Sequence, residues 1–204
     1  ITPPLGSEVP GGFGKRFLWD VHDPLHAKAA VFENNGARAA LVGVDSLSIK
    51  ASTVRAGRQM AEEITGIPSN HIMVAASHTH RGGPVVDWAG NPEEFVAHSS
   101  DPEFVTKLLE TAPAADQNYL DFLSRQIGSA VALADKHKVE ARCAVGIGRE
   151  SSVSFNRRFK MKNGGQMTHP GKGNPDILEP AGPIDPDVGV LSAWGMDGRF
   201  LGLW

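Results

Sequence analysis

The densest chemical signal in the chain is the run Ala75-Ala76-Ser77-His78-Thr79-His80-Arg81-Gly82-Gly83-Pro84. It stands where an apolar stretch, His71 to Ser77, reads as a buried strand and gives way to a glycine-rich loop. On a strand, alternate side chains face the same way, so His78 and His80 are expected to project from one side. Two imidazoles at that spacing can bind one metal ion, or one can ligate while the other contacts a substrate. A stiff strand end holds such ligands, and the following loop leaves a coordination position open. The plainer alternative is a pair of surface histidines on a loop. A zinc site fills about four positions, so these two do not complete one.

Other residues are candidates for the same site. Asp45 follows the apolar run Ala39 to Val44. It either orients a ligating histidine from behind or serves as a turn residue or helix cap. The segment Phe155-Asn156-Arg157-Arg158-Phe159 closes what reads as a strand, Ser152 to Phe155. Arg157 or Arg158 can hold an oxyanion or an acidic group; the alternative is a solvated pair of cations. His169, in Thr168-His169-Pro170-Gly171, is a candidate for lining the site. His137 follows Lys136 at an expected helix end, where the helix dipole accounts for it. Pro24 between His22 and His26 argues against one helix presenting both, and His98 falls in a polar loop.

Several familiar devices are missing. There is no His-Glu-x-x-His, so a thermolysin-type protease is not supported. Gly171-Lys172-Gly173 lacks the earlier glycine and the Ser or Thr of a P-loop, and Pro175 blocks the helix that should follow. Ser77 and Ser154 sit in no Gly-x-Ser-x-Gly elbow. Ile184-Asp185-Pro186-Asp187 reads as a turn into a strand rather than a calcium loop.

The elements that must position these residues follow from local patterns. Asn34-Asn35-Gly36 between the apolar runs Lys28 to Glu33 and Arg38 to Asp45 predicts a hairpin, because both Asn35 and Gly36 accept positive φ. A helix is expected over about 50–65, burying Val54, Met60, Ala61 and Ile64 and stopped by Gly66 and Pro68. Thr79 to Pro113 reads as a long polar loop of the kind that serves a site or lid. A second helix is expected over about 116–137, with Asp116 as N-cap and Leu120, Leu123, Ile127, Ala130, Val131 and Ala134 as its stripe. Glu140 to Ile147 and Ser152 to Phe155 read as adjacent strands, 160–186 as a polar stretch, and Asp187 to Trp194 and Arg199 to Trp204 as a hairpin turning at Gly195-Met196-Asp197-Gly198. The sum is an α/β fold of mixed α+β type, with mixed sheets packed against flanking helices in a single domain over 1–204.

Composition sets outer bounds. The chain has 204 residues, 41% hydrophobic and 21% charged, which is ordinary globular usage. Its 20 Lys and Arg against 23 Asp and Glu leave a formal charge of −3, so no nucleic-acid partner is expected. The apolar runs fall far short of the roughly 20 residues that span a bilayer, so no transmembrane segment is expected. One cysteine, Cys143, excludes a disulfide framework and any multi-cysteine metal site. The close Phe200-Leu201-Gly202-Leu203-Trp204 is apolar where free termini are usually polar, which reads as a chain continuing past Trp204.

The motif residues resemble a known family. Ser77-His78-Thr79-His80 with Gly82-Gly83-Pro84 is similar to the His-Thr-His-Ser-Gly-Pro motif of the neutral (alkaline, non-lysosomal) ceramidases. Supporting stretches agree in order: Leu25 to Val31 with Lys28 at a basic position, Val42-Gly43-Val44-Asp45, Phe155-Asn156-Arg157, and Asp185 to Leu191. The resemblance implies the front part of a ceramidase-like catalytic domain, incomplete at its C-terminal side. It further implies a zinc-dependent hydrolase that cleaves a linear N-acyl amide of a small-molecule or lipid-like substrate, as in sphingolipid metabolism. His78 would be a zinc (Zn2+) ligand, His80 and Arg157 would act near the reacting end, and the further ligands, a His, a Glu and a Tyr, would fall past Trp204. Export, as a secreted or periplasmic protein, is implied as well. Arg81 and Arg158 each replace a serine of the family pattern, and their cationic bulk points to a polar or anionic amide rather than a long-chain sphingolipid. Two further readings are a non-catalytic binding protein on the same fold and a metal-dependent esterase or phosphoesterase.

Overall fold

The computed structural model describes residues 1–12, 14–86 and 96–204. They divide into two compact units, 1–138 and 139–204.

In the first unit, β1 (Ala27–Asn34) and β2 (Ala37–Val44) form the expected hairpin. Asn35 and Gly36 carry φ of 50° and 80°, the left-handed pair that such a two-residue turn needs. β3 (Ile72–Ala76) runs parallel to β2, in register from Ala40 against Ile72 to Val44 against Ala76. The sheet is therefore mixed, with order β1-β2-β3. Alternate residues of β2, Ala40, Val42 and Val44, are buried, as a one-sided strand requires.

Three helices are described in this unit. α1 (Ala51–Thr65) ends at Gly66, whose φ of 70° closes the last turn. α2 (Pro102–Thr111) is capped by Asp101, which accepts from the Phe104 N–H, with Pro102 in the first turn. α3 (Gln117–Lys136) is capped by Asp116, which accepts from the N–H groups of Asn118 and Tyr119. Tyr119, Leu120, Leu123, Ile127 and Val131 of α3 join Val42, Val44, Ile67, Ile72 and Val85 in one core. α1 meets this core differently from expectation. Thr53, Gly57 and Ala61 are its buried residues, whereas Ile64 is exposed. Small residues at i, i+4 and i+8 let α3 come close: a Cβ on Gly57 would lie 2.9 Å from Ile127 Cγ2.

The polar stretch 79–113 thus holds a helix, α2, that the sequence reading took for loop. The part of that stretch over 87–95 lies outside the described residues.

In the second unit, β4 (Ala141–Arg149) pairs with β8 (Asp187–Gly195), not with a strand at Ser152 to Phe155, which has no strand at all. β9 (Phe200–Leu203) joins β8 through the expected turn, where Gly198 has φ of 83°. A second antiparallel sheet, β6-β5-β7, is made from β5 (Arg158–Met161), β6 (Gln166–Thr168) and β7 (Ile177–Pro180). It occupies the stretch read as structureless. Asn156 and Arg157 accordingly lead into a strand rather than closing one. No helix among the described residues is long and apolar enough to cross a membrane.

Candidate functional site

Because β2 and β3 are parallel, their carboxyl ends lie side by side, the place where α/β sheets present ligand-binding loops. The ladder runs one step further, with Ser77 N–H donating to Val44 O at 2.9 Å. The two chains then become loops that stay in contact: a Cβ on Gly82 would be 3.2 Å from Ser46 Cα, a tight approach.

His78 and His80 meet on this rim. Their ring centroids are 5.0 Å apart and their planes stand at 88°. Strand alternation does not bring them together, since β3 has ended at Ala76 and His78 has a left-handed φ of 61°. A non-glycine residue in that region is uncommon and is kept only when its surroundings hold it. Here the holding contact is the His78 Nδ1–H, which donates to Leu47 O at 2.8 Å. His80 is fixed likewise, its Nδ1–H donating to Gly11 O at 2.8 Å. A carbonyl can only accept, so both rings carry a proton on Nδ1, and in the neutral ring the lone pair is at Nε2. Both side chains are exposed.

The Gly11 contact is close. Gly11 has φ of 105°, and a Cβ there would lie 2.5 Å from His80 Cβ. The entry segment carrying it is anchored elsewhere in the unit. Lys15 N–H donates to Thr111 O at 2.8 Å, and the Glu8 carboxylate accepts from Ala114 N–H at 2.8 Å and pairs with Lys15 at 3.2 Å. Neither Leu47 nor Gly11 was legible as a site residue, because each acts through its backbone carbonyl. Pro10-Gly11-Gly12 was the one available signal, and it marks a turn without saying what the turn faces.

Asp45 accepts from the His26 N–H at 2.9 Å through its carboxylate, so it fastens the start of β1 to the end of β2. Behind His78 stands a backbone carbonyl instead. Arg81 is exposed, with its N–H directed to Thr79 Oγ1 at 3.3 Å.

In the second unit, Asn156, Arg157, Arg158, Gln166, Thr168 and Ala181 line a cavity of about 360 Å³. Asn156 is a positioning element: its Oδ1 accepts from Arg158 N–H at 3.0 Å and its Nδ2 donates to Pro183 O at 3.3 Å. His169 is brought beside Arg157, its N–H donating to Arg157 O at 3.1 Å. Neither Arg157 nor Arg158 pairs with a carboxylate among the described residues.

As a metal site the histidine pair fits zinc as far as it goes. Imidazole is a preferred zinc donor, and a ligating histidine usually gives its other N–H to a carbonyl or carboxylate. His78 and His80 both have that arrangement. Among the described residues no group of three or more His, Cys, Asp or Glu side chains gathers to hold an ion.

Comparison with solved structures adds the decisive observation about architecture. Neutral ceramidase from Pseudomonas aeruginosa superposes on 98% of this chain with a TM-score of 0.63 at 20% sequence identity. The fold is ceramidase-like. The chain spans 29% of the length of that ceramidase chain. A second ceramidase structure, complexed with C2, matches over 98% of this chain at 19% identity with a TM-score of 0.47. No protein-family model matches the sequence, and no curated protein matches it.

Proposed function

We propose that the chain is the front part of a zinc-dependent hydrolase that cleaves a linear N-acyl amide. The observation carrying this reading is the pair of imidazoles at the carboxyl ends of parallel strands, each locked through Nδ1 so that Nε2 is free to act. The ceramidase-like fold supports it.

In this reading His78 Nε2 is a zinc ligand. Zinc held there would supply Lewis-acid chemistry and lower the pKa of water to about 7. About four positions need filling, so groups outside the described residues complete the ligand set. His80 exchanges a proton at Nε2 while Gly11 O keeps its Nδ1–H in place, which fixes both tautomer and ring orientation. Arg157 offers its guanidinium to the substrate carbonyl oxygen as negative charge develops there. One such donor is worth about 3 kcal/mol of barrier. The amide is polar or anionic, since Arg81 and Arg158 add cations directly after the motif residues His80 and Arg157.

A second reading, a metal-dependent esterase or phosphoesterase, is favoured by Arg157 and Arg158, which pair with no carboxylate among the described residues, because anionic esters need such partners. Turnover of a panel of N-acyl amides, carboxylic esters and phosphoesters by the full-length protein, with and without chelator, separates these. Chelator-sensitive amide cleavage is expected. Binding without turnover, indifferent to chelator, would instead identify a binding protein on a hydrolase fold.

A further inference from the structure

The cavity of the second unit has a chemical character of its own. β5 and β6 are antiparallel, with Arg158 opposite Thr168 and Lys160 opposite Gln166. Arg158 and Thr168 therefore leave the sheet on the same face. Gln166 follows two residues before Thr168 and shares that face. Arg157, immediately before the strand, completes the lining. Lys160, further along the same face, is paired with Glu179 of β7 at 2.8 Å and is not among the lining residues. The lining thus combines two guanidinium groups, two amides and a hydroxyl, and contains no carboxylate.

Two other cations on strands of this unit are held in ion pairs. Arg149 meets Asp187 at 3.0 Å, as Lys160 meets Glu179. Arg157 and Arg158, like Arg142 on β4, have no such partner among the described residues, but these two line one cavity. Like charges on two neighbouring residues that line one cavity repel. An anionic oxygen group between them relieves that repulsion and takes bidentate hydrogen bonds from the planar forks. Asn156 makes the arrangement more than two mobile side chains, because its Oδ1 fixes the backbone at Arg158 and its Nδ2 ties the strand entry to Pro183.

We propose that this cavity is an anion site that takes the carboxylate or phosphate group of a bound molecule. Arg158, with Thr168 and Gln166, selects for charge, and a neutral amide group of the same size is held more weakly because it leaves the Arg158 guanidinium uncompensated.

The test is a titration of the full-length protein with sodium phosphate, sodium acetate and neutral acetamide at constant ionic strength, followed through the side-chain NMR signals of arginine and threonine. Saturable shifts at Arg158 and Thr168 with an anion, and much weaker ones with acetamide, are expected. Tighter phosphate binding assigns a phosphate-bearing ligand; tighter acetate binding assigns a carboxylate-bearing one. Arg158→Gln should weaken anion binding about tenfold or more, since a charge-assisted hydrogen bond is lost. Thr168→Val, which keeps the shape and removes only the hydroxyl, should weaken it less. Arg142→Gln, in β4 and away from the lining, should leave it unchanged. Equal weakening by Arg142→Gln, linear unsaturable shifts, or comparable acetamide binding would overturn the proposal. The titration runs in chelator, so it stands or falls separately from the zinc hydrolase reading.

Discussion

At the scale of single residues, function here depends on atoms that side-chain patterns do not advertise. The His80 tautomer is set by the carbonyl of Gly11, and Gly11 occupies a φ of 105° with His80 packed against its α-carbon. In Gly11→Ala the added methyl meets His80 Cβ and backbone at 2.5–2.7 Å, so the loop must move. We expect a loss of about 1–3 kcal/mol from strain and overpacking. The His80 ring nitrogen NMR signals should lose their fixed Nδ1–H pattern while those of His78 keep theirs; unchanged His80 signals would contradict the contact. Tyr119 offers a second probe, because it is the chain's one tyrosine. Burial pushes its phenol up to about 12, and its hydroxyl donates to Ile1 O at 2.8 Å. The folded chain keeps this proton where the unfolded chain loses it. The stabilisation is therefore complete below about pH 10 and declines as pH rises from 10 toward 12. Tyrosinate absorbance should appear only near the alkaline unfolding transition, and Tyr119→Phe should flatten the dependence of stability on pH in that window.

At the scale of elements, the sequence was most readable where structure is made locally. The Asn35-Gly36 turn, the Gly66 stop, the Asp116 cap and the hairpin at Gly195 to Gly198 were all legible, since each is decided by residues within a few positions. Pairings between distant strands were not. β4 reads equally well as a partner for any nearby strand, and its true partner, β8, begins 38 residues after β4 ends (187 less 149). β5, β6 and β7 have only 4, 3 and 4 residues, too few for the alternation that Arg158-Phe159-Lys160-Met161 does show to stand out as a strand signal. α2 was hidden by its half-exposed stripe, although Asp101-Pro102 is a helix-start signature in retrospect. The histidine pair was found by spacing, yet the geometry joining it is a left-handed turn that strand logic did not foresee. Helix packing gives a prediction at this scale. Helix propensity favours Gly57→Ala by about 1 kcal/mol. The new methyl would stand 2.9–3.0 Å from Ile127 and from Ser124 O, and overpacking of that kind costs about 1–3 kcal/mol. The clash should win. Chemical denaturation should show a net loss of stability, and a gain would mean α1 and α3 lie further apart.

At the scale of the whole molecule, the two compact units differ in how they are held together. Residues 1–138 enclose the large apolar core of sheet, α1 and α3. Residues 139–204 bury little, with Val145 80% and Ile147 74% exposed on β4. Expressed alone, 1–138 should unfold cooperatively, and 139–204 alone should not. Calorimetry of the two pieces checks this, and a cooperative transition in the smaller one would contradict it. The first unit is also tied at its edge by charge. Burial pushes the Asp135 carboxyl up, but Lys138 at 2.7 Å and Arg38 at 3.4 Å outweigh it and hold the group below its usual range. Stability from this cluster is present at neutral pH and is lost as acid protonates Asp135.

The histidine pair lies within the first unit, so the account depends on what those rings hold. Zinc content of the purified full-length protein, measured beside its His78→Ala variant, tests this most directly. The account predicts bound zinc in the wild-type protein and a near-complete loss in the variant, with the fold retained by circular dichroism. Equal zinc in both proteins, or none in the wild type after loading, would contradict it.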